Sequence, residues 1–265
     1  MTRHPAALSE LLASVLRHRE LLYRLVRRDI GQRYAGSMLG LAWAVITPLL
    51  TALVFTFVFG TVFRSRWGAP GSEAGDASFT VILLIGLAVH GMFAEAISRA
   101  PQLVVSNPSY VKKVVFPLEL LSVVAVCAVA VNGCIGLLVA LVLNLALAQA
   151  LPATLLLLPL VLLPFLVLLT GVVLILAATG VYLRDLAQVT GFAVTLSLFL
   201  TPIFYPITAL PPELQPVMLL NPMAFTVEQA RAVAVFGQLR DWQDRGLHST
   251  GALAVLAGGF WWFQR

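Results

Sequence analysis

"LLSVVAVCAVAVNGCIGLLVALVLNLALAQALPATLLLLPLVLLPFLVLLTGVVLILAATGVYL", residues 120–183, contains no charged side chain. As a single helix it would run roughly 95 Å at 1.5 Å per residue. The hydrocarbon core of a bilayer is only about 30 Å thick. The stretch must therefore fold back on itself. "LAQALP", Leu147–Pro152, is a short polar break near its middle. The reading is a helical hairpin, because a helix satisfies its own backbone groups in hydrocarbon.

Further apolar runs lie on either side: 37–63 and 79–97 before it, 186–205 and 247–265 after it. With the hairpin arms at 118–147 and 153–181 they make six. The last is densely apolar only from Gly251 to Phe263 and starts near Leu247 if it is to span. The chain is 60% hydrophobic and 11% charged, whereas a soluble domain carries about 25% charged residues. The fold class is thus an all-α integral membrane protein with six transmembrane helices. Residues 1–36 form an N-terminal segment, and 37–265 form the transmembrane domain. No cleavable signal peptide precedes the first span, which is itself the expected insertion signal. Cys127 and Cys134 stand seven residues apart in one run, too far along a helix to bridge.

With the N-terminus inside, twelve of the seventeen Lys and Arg residues fall on the cytoplasmic side, as the positive-inside rule requires. Both termini are then cytoplasmic. The net charge of +5 belongs to those segments and needs no nucleic-acid partner. The N-terminal segment places Leu8, Leu11, Leu12, Val15 and Leu16 at helical spacing with Arg17, Arg24, Arg27 and Arg28 mostly off that stripe. This is a basic amphipathic helix of the kind that lies in the headgroup plane. It is either a plain anchor or a surface offered to a cytoplasmic partner. Gly36 and Gly40 let the chain turn from it into the first span.

Four blocks then carry a resemblance. They are "RRDIGQRYAGSMLGLAWAVITPLLTALVFTFVFGTVF" (27–63), "NPSYVKKVVFPLELL" (107–121), "YLRDLAQV" (182–189) and "TPIFYPITALPPELQPVMLLNPMAFTVEQAR" (201–231). In this order, on a six-span plan, they resemble the type-2 ABC exporter permeases that move O-antigen, capsule and teichoic acid polysaccharides. Gly31 departs from the pattern, where members often carry a basic residue. The resemblance implies a homodimer bound to two copies of an ABC ATPase subunit, in the bacterial inner membrane, exporting a lipid-linked polysaccharide. It implies no catalytic residue, metal or cofactor on this chain. The sequence has no G-x-x-x-x-G-K-[ST] phosphate loop, so ATP and magnesium belong to the partner.

Under that resemblance, Arg28, Asp29 and Arg33, with Asn107, Pro108, Tyr110, Lys112 and Lys113 in the cytoplasmic loop 99–116, form the ATPase contact. Asn107-Pro108 is a turn that opens a short helix. Trp43, Phe55, Phe59, Phe199, Phe204 and Tyr205 are candidate aromatic walls of a sugar conduit, since rings stack on apolar sugar faces. Taken singly, each ring reads first as packing or lipid contact. Thr190, Thr195, Ser197 and Thr201 are conduit polar groups or interhelical hydrogen bonders, and Asn132 and Asn144 favour packing. Glu119 is either functional or paired with Lys112 and Lys113. The region 206–236 is broken by proline and reads as an external re-entrant gate. Pro211 and Pro212 open its first helix, Asn221 and Pro222 end it, and Thr226 with Gln229 cap the next; Phe225 is counted with the gate.

Other functions stay in view. An ABC exporter of a lipid or drug fits the same plan. An integral-membrane glycosyltransferase would need paired acids for a metal-bound sugar phosphate, and Asp29 and Asp185 stand singly. A secondary transporter would need ionisable groups at the bilayer midplane.

Overall fold

A computed structural model of the chain describes residues 8–58, 76–111, 116–148, 151–238 and 242–265. Among these, every regular element is helical: α1 (Leu8–Arg17), α2 (Arg19–Tyr34), α3 (Trp43–Phe55), α4 (Asp76–Arg99), α5 (Pro108–Val111), α6 (Glu119–Ala148), α7 (Leu158–Tyr182), α8 (Leu186–Leu200), α9 (Leu214–Leu219), α10 (Pro222–Ala234) and α11 (Trp242–Phe263). Four segments are long and apolar enough to cross a membrane: Gly40–Val58, Phe79–Gln102, Glu119–Ala146 and Ala153–Tyr182. α8 is apolar but shorter. Phe59, Lys112 and Lys113 lie outside the described residues.

The charge-free stretch folds as the hairpin of α6 and α7. Pro152 is extended, with φ −68° and ψ 143°, and a 3-10 turn over Ala153–Leu157 leads into α7. Helices α3, α4, α6, α7, α8 and α11 run alternately in opposite directions. One end of the bundle gathers α1, α2, α5 and the start of α6, and we call it the α2 end. The other holds α9 and α10, and we call it the α10 end. α4 is the central helix. Val81, Ile82, Leu83, Leu84 and Ile85 are consecutive and all buried, so it is covered on every face. α3 is its opposite: only Ala44 and Ala52 are buried.

α7 and α11 pack along their lengths through glycine. A Cβ on Gly171 would lie 2.7 Å from the Leu256 backbone, and one on Gly259 would collide with the Gly171 carbonyl. Close backbone approach of this kind is how membrane helices gain dispersion contact without a hydrophobic driving force. Replacing Gly171 with valine is expected to cost about 1–3 kcal/mol or more by overpacking. The check is a thermal melt in detergent. Gly191→Ala serves as the control, with nothing within 4 Å of its Cβ position, and should leave the melt unchanged.

Three boundaries differ from the sequence reading. α8 stops at Leu200 instead of 205, because Thr201 is extended at φ −107° and ψ 138°, as a residue before proline prefers. Phe204 and Tyr205 therefore lie beyond the helix. α11 begins at Trp242, five residues before Leu247, since polar Gln243, Asp244 and Arg245 extend it where hydropathy alone shows no span. Asn221 and Pro222 start α10 and do not end α9. The Asn221 side chain accepts from the Met223 amide at 3.0 Å, and Pro222 occupies the first turn, where a missing N–H costs nothing. Thr226 sits inside that helix and donates to the Pro222 carbonyl at 2.7 Å, so it is no cap.

Candidate functional site

α2 lies across the α2 end and meets α4 through a square of charges. Asp29 and Arg33 are four apart on α2, and Glu95 and Arg99 are four apart on α4, so each pair shares one helix face. The helices run antiparallel there, which sets acid against base at both corners. Arg99 donates to both Asp29 oxygens, at 2.6 and 3.0 Å. Arg33 Nη1 donates to Glu95 Oε2 at 2.7 Å, and Arg33 Nη2 also pairs with Glu95 Oε1. Arg99 closes a third side by donating to Glu95 Oε1 at 3.2 Å.

The square continues into α6 and α5. Tyr34 donates to the Asn132 side-chain oxygen at 2.8 Å, and the Asn132 amide donates to Glu95 at 3.4 Å. Asn132 is thus a network member, beyond the packing role read from sequence. Arg28 donates to the Tyr110 hydroxyl at 2.6 Å, and its guanidinium lies 5.6 Å from the ring centroid. Tyr110 stacks on Phe116 with centroids 4.5 Å apart. Asn107 accepts the Tyr110 amide through its carbonyl at 3.1 Å, so Asn107-Pro108 does open a short helix, α5. Exposed single ion pairs contribute little. This one is a network with a two-pronged Arg–carboxylate contact, and such contacts fix geometry as well as energy. Its effect is to join α2, α4, α5 and α6 at one point. Beneath it lies a polar cavity of about 430 Å³ that Arg28, Asp29, Gln32, Arg99, Gln102 and Asn107 help to line.

Glu119, at the start of α6, is held by α1. Ser14 donates to Glu119 at 3.1 Å, which gives Glu119 a partner other than the lysines named above. Leu11 is buried against Leu174 and Phe260. At the tip of α7, Gly180 lies directly against Pro101, with no room for a Cβ.

At the α10 end, the structure gathers some of the aromatic candidates and scatters others. Phe55 and Phe204 have centroids 5.0 Å apart, and Phe199 and Phe204 are 6.3 Å apart. Tyr205 donates to the Phe199 carbonyl at 3.1 Å. Phe204 is buried, whereas Phe199 is exposed. Trp43, at the other end of α3, is exposed. Thr190 and Thr195 bond to carbonyls of their own helix, while Ser197 reaches His90 on α4 at 3.2 Å. Asn144 donates to the Ala234 carbonyl at 3.5 Å. Pro211 and Pro212 are exposed ahead of α9, and Pro222 is exposed at the start of α10. Phe225 is buried and stacks on His248 at 3.9 Å.

Arg231, counted by sequence among the outer-loop charges, is 1% exposed. It donates to the carbonyls of Ile82 (3.0 Å), Pro202 (2.6 Å) and Ile203 (2.9 Å), and to Glu228 at 3.1 Å. Gly86 makes room for it: a Cβ there would sit 2.6 Å from Arg231 Nη2. One side chain thus fastens α10 to the beginning of α4 and to the segment leaving α8. Sequence reasoning missed it, as it missed Glu95 and Arg99 as site residues. Glu95 and Arg99 repeat the acid-then-base i, i+4 order of Asp29 and Arg33, but that spacing alone does not say that the two pairs meet antiparallel.

A model of the family described as ABC-2 type transporter matches residues 20–235. The O-antigen export system permease protein RfbA of Myxococcus xanthus is 29% identical over 233 residues, covering 87% of this chain and 86% of that protein. Two proteins of Klebsiella pneumoniae with the same description are 26% and 24% identical over 244 residues, covering 90% of this chain and 89% of each.

Proposed function

Given that the chain belongs to the ABC-2 type transporter family, we propose that it is the permease subunit of an ABC exporter that carries a lipid-linked polysaccharide out of the cytoplasm. The substrate is of the O-antigen class named for its relatives. The permease sits in the bacterial inner membrane as a homodimer, and two copies of a separate ATPase subunit supply the energy. The six alternating helices all span the bilayer. The α2 end faces the cytoplasm, with the greater share of Arg and Lys, and α9 and α10 form the outer gate. The exposed apolar faces of α3 and α8 are where the second copy packs.

The observation that carries the mechanism is the charge square with its Arg28–Tyr110 extension. The ATPase docks on α5 and α2. Its rigid-body movement passes into α4 at Glu95 and Arg99, because those side chains are bonded to Asp29 and Arg33. α4 then carries the displacement roughly 20–25 Å, at 1.5 Å per residue, to Ile82. There the Arg231 bond links it to α10 and the gate. The chain's residues bind the partner and move the gate, and the partner's nucleotide site does the chemistry.

The test is co-purification with the ATPase encoded beside this chain. Wild type should form a complex with equal copies of both subunits. Reversing Lys112 and Lys113 to glutamate should weaken it at least about tenfold, equivalent to ~1.4 kcal/mol, read by titrating the ATPase onto immobilised permease. A permease that elutes alone, or a complex indifferent to the reversals, would overturn the coupling assignment.

A further inference from the structure

We propose that the polar cavity beneath the charge square is a socket for an acidic side chain of the ATPase. This rests on the exporter reading above and names what the partner brings to it. The cavity holds about 430 Å³, within the ~300–1,000 Å³ range of ligand sites, so it admits a side chain together with its backbone turn. Leu25, Leu103, Leu121 and Val124 form a buried apolar floor. Arg28, Gln32, Ser98, Gln102 and Ser106 are exposed and rim the mouth. An alkyl stem suits such a floor, and a charged tip suits such a rim. Ser106 and Asn107 lead directly into α5, so the mouth is continuous with the docking surface.

Charge selects the tip. Three lining residues are charged, Arg28, Asp29 and Arg99, and cations outnumber acids among them. Asp29 is turned against two nitrogens of Arg99. Arg28 is held in place by Tyr110, whose hydroxyl accepts its Nη1 at 2.6 Å. The wider α2 end carries twelve Lys and Arg residues against six acids, Glu10, Glu20, Asp29, Glu95, Glu119 and Asp185. Segments 1–7 and 112–115, outside the described residues, supply Arg3, Lys112 and Lys113 to that count and no carboxylate. A carboxylate on the partner is steered toward such a field. It meets Arg28 in a charge-assisted bond, with the Gln32 and Gln102 amides as further donors. A lipid phosphate fits less well. Its chains need an apolar way out to the bilayer, and every apolar residue lining this cavity is buried. One partner residue seated here touches α2 and the end of α4 together. The ATPase then pulls on α4 directly as well as through Asp29 and Arg33.

The experiment uses the assembled permease–ATPase complex. Gln102→Lys places an amine at the mouth, and a carbodiimide should join that amine to one Asp or Glu of the ATPase, identified by peptide mass spectrometry. Ser98→Trp fills the mouth and should weaken binding of the ATPase to immobilised permease at least about tenfold. An amine that reacts only with the permease's own carboxylates would overturn the proposal, as would unchanged ATPase affinity in Ser98→Trp. Release of a bound lipid phosphate by Ser98→Trp, seen in native mass spectra with ATPase affinity unchanged, would overturn it by giving the cavity to a head group. If Ser98→Trp melts below wild type, the cross-link decides alone. With the wild-type complex intact, a missing cross-link sinks the socket only. A permease that never binds an ATPase sinks the socket and the exporter reading together.

Discussion

Replacing Arg231 with alanine is expected to destabilise the permease by about 3–5 kcal/mol, the usual cost of removing one partner from a buried ion pair. Three carbonyls, of Ile82, Pro202 and Ile203, lose their donor. Each buried unsatisfied group costs about 1–3 kcal/mol. Glu228 also loses its counter-charge. Lysine keeps the charge but offers one ammonium where the native geometry uses three guanidinium nitrogens, so Arg231→Lys should fall between wild type and alanine. Thermal denaturation in detergent reads the order. A wild-type melt for Arg231→Ala would remove the claim that this side chain fastens α10 to α4.

The second large effect concerns the charge square, and its geometry makes an uncommon demand on compensating mutations. Asp29→Arg alone should leave three cations around Glu95 and lower export at least about tenfold, some 1.4 kcal/mol of coupling. The partner's basal ATP hydrolysis should persist. Exchanging only one pair, D29R/R99D, should not rescue. It puts like charges four residues apart on both helices, and such neighbours repel. Reversing all four corners, D29R/R33D/E95R/R99D, restores every opposite-charge contact and should recover a large part of export. Surface polysaccharide and ATP turnover, measured together, distinguish loss of coupling from loss of fold. Rescue by the single exchange would show independent pairs instead of a square.

The fold was readable wherever hydropathy decided it. The charge-free stretch foretold a helical hairpin, because no other structure can hide that much apolar backbone, although a 3-10 turn occupies Ala153–Leu157 and α7 itself starts at Leu158. Hydropathy failed where polar residues continue a helix, as in the first turn of α11, and where a proline's neighbour ends one, as at Thr201. Arg28, Asp29 and Arg33 were legible as a motif. Glu95 and Arg99 were not, since at the end of an apolar run they looked like ordinary boundary charges. Arg231 carried no local signal at all. Its partners at Ile82 and Pro202 lie 149 and 29 residues away in sequence, so only tertiary structure turns a loop charge into a buried clasp.

The glycine seam between α7 and α11 also sets a clock on synthesis. Gly171 waits for Leu256 and Gly259, which leave the ribosome roughly 90 residues later. At about 5–20 residues per second, that delay is roughly 5–20 s. For those seconds α7 is inserted with a bare backbone notch on its flank, open to any helix with a small residue to offer. The bundle closes only when the last helix arrives. A ribosome that stalls after α10 would release a chain with this seam open, recognisable to membrane quality control by what it leaves unfilled.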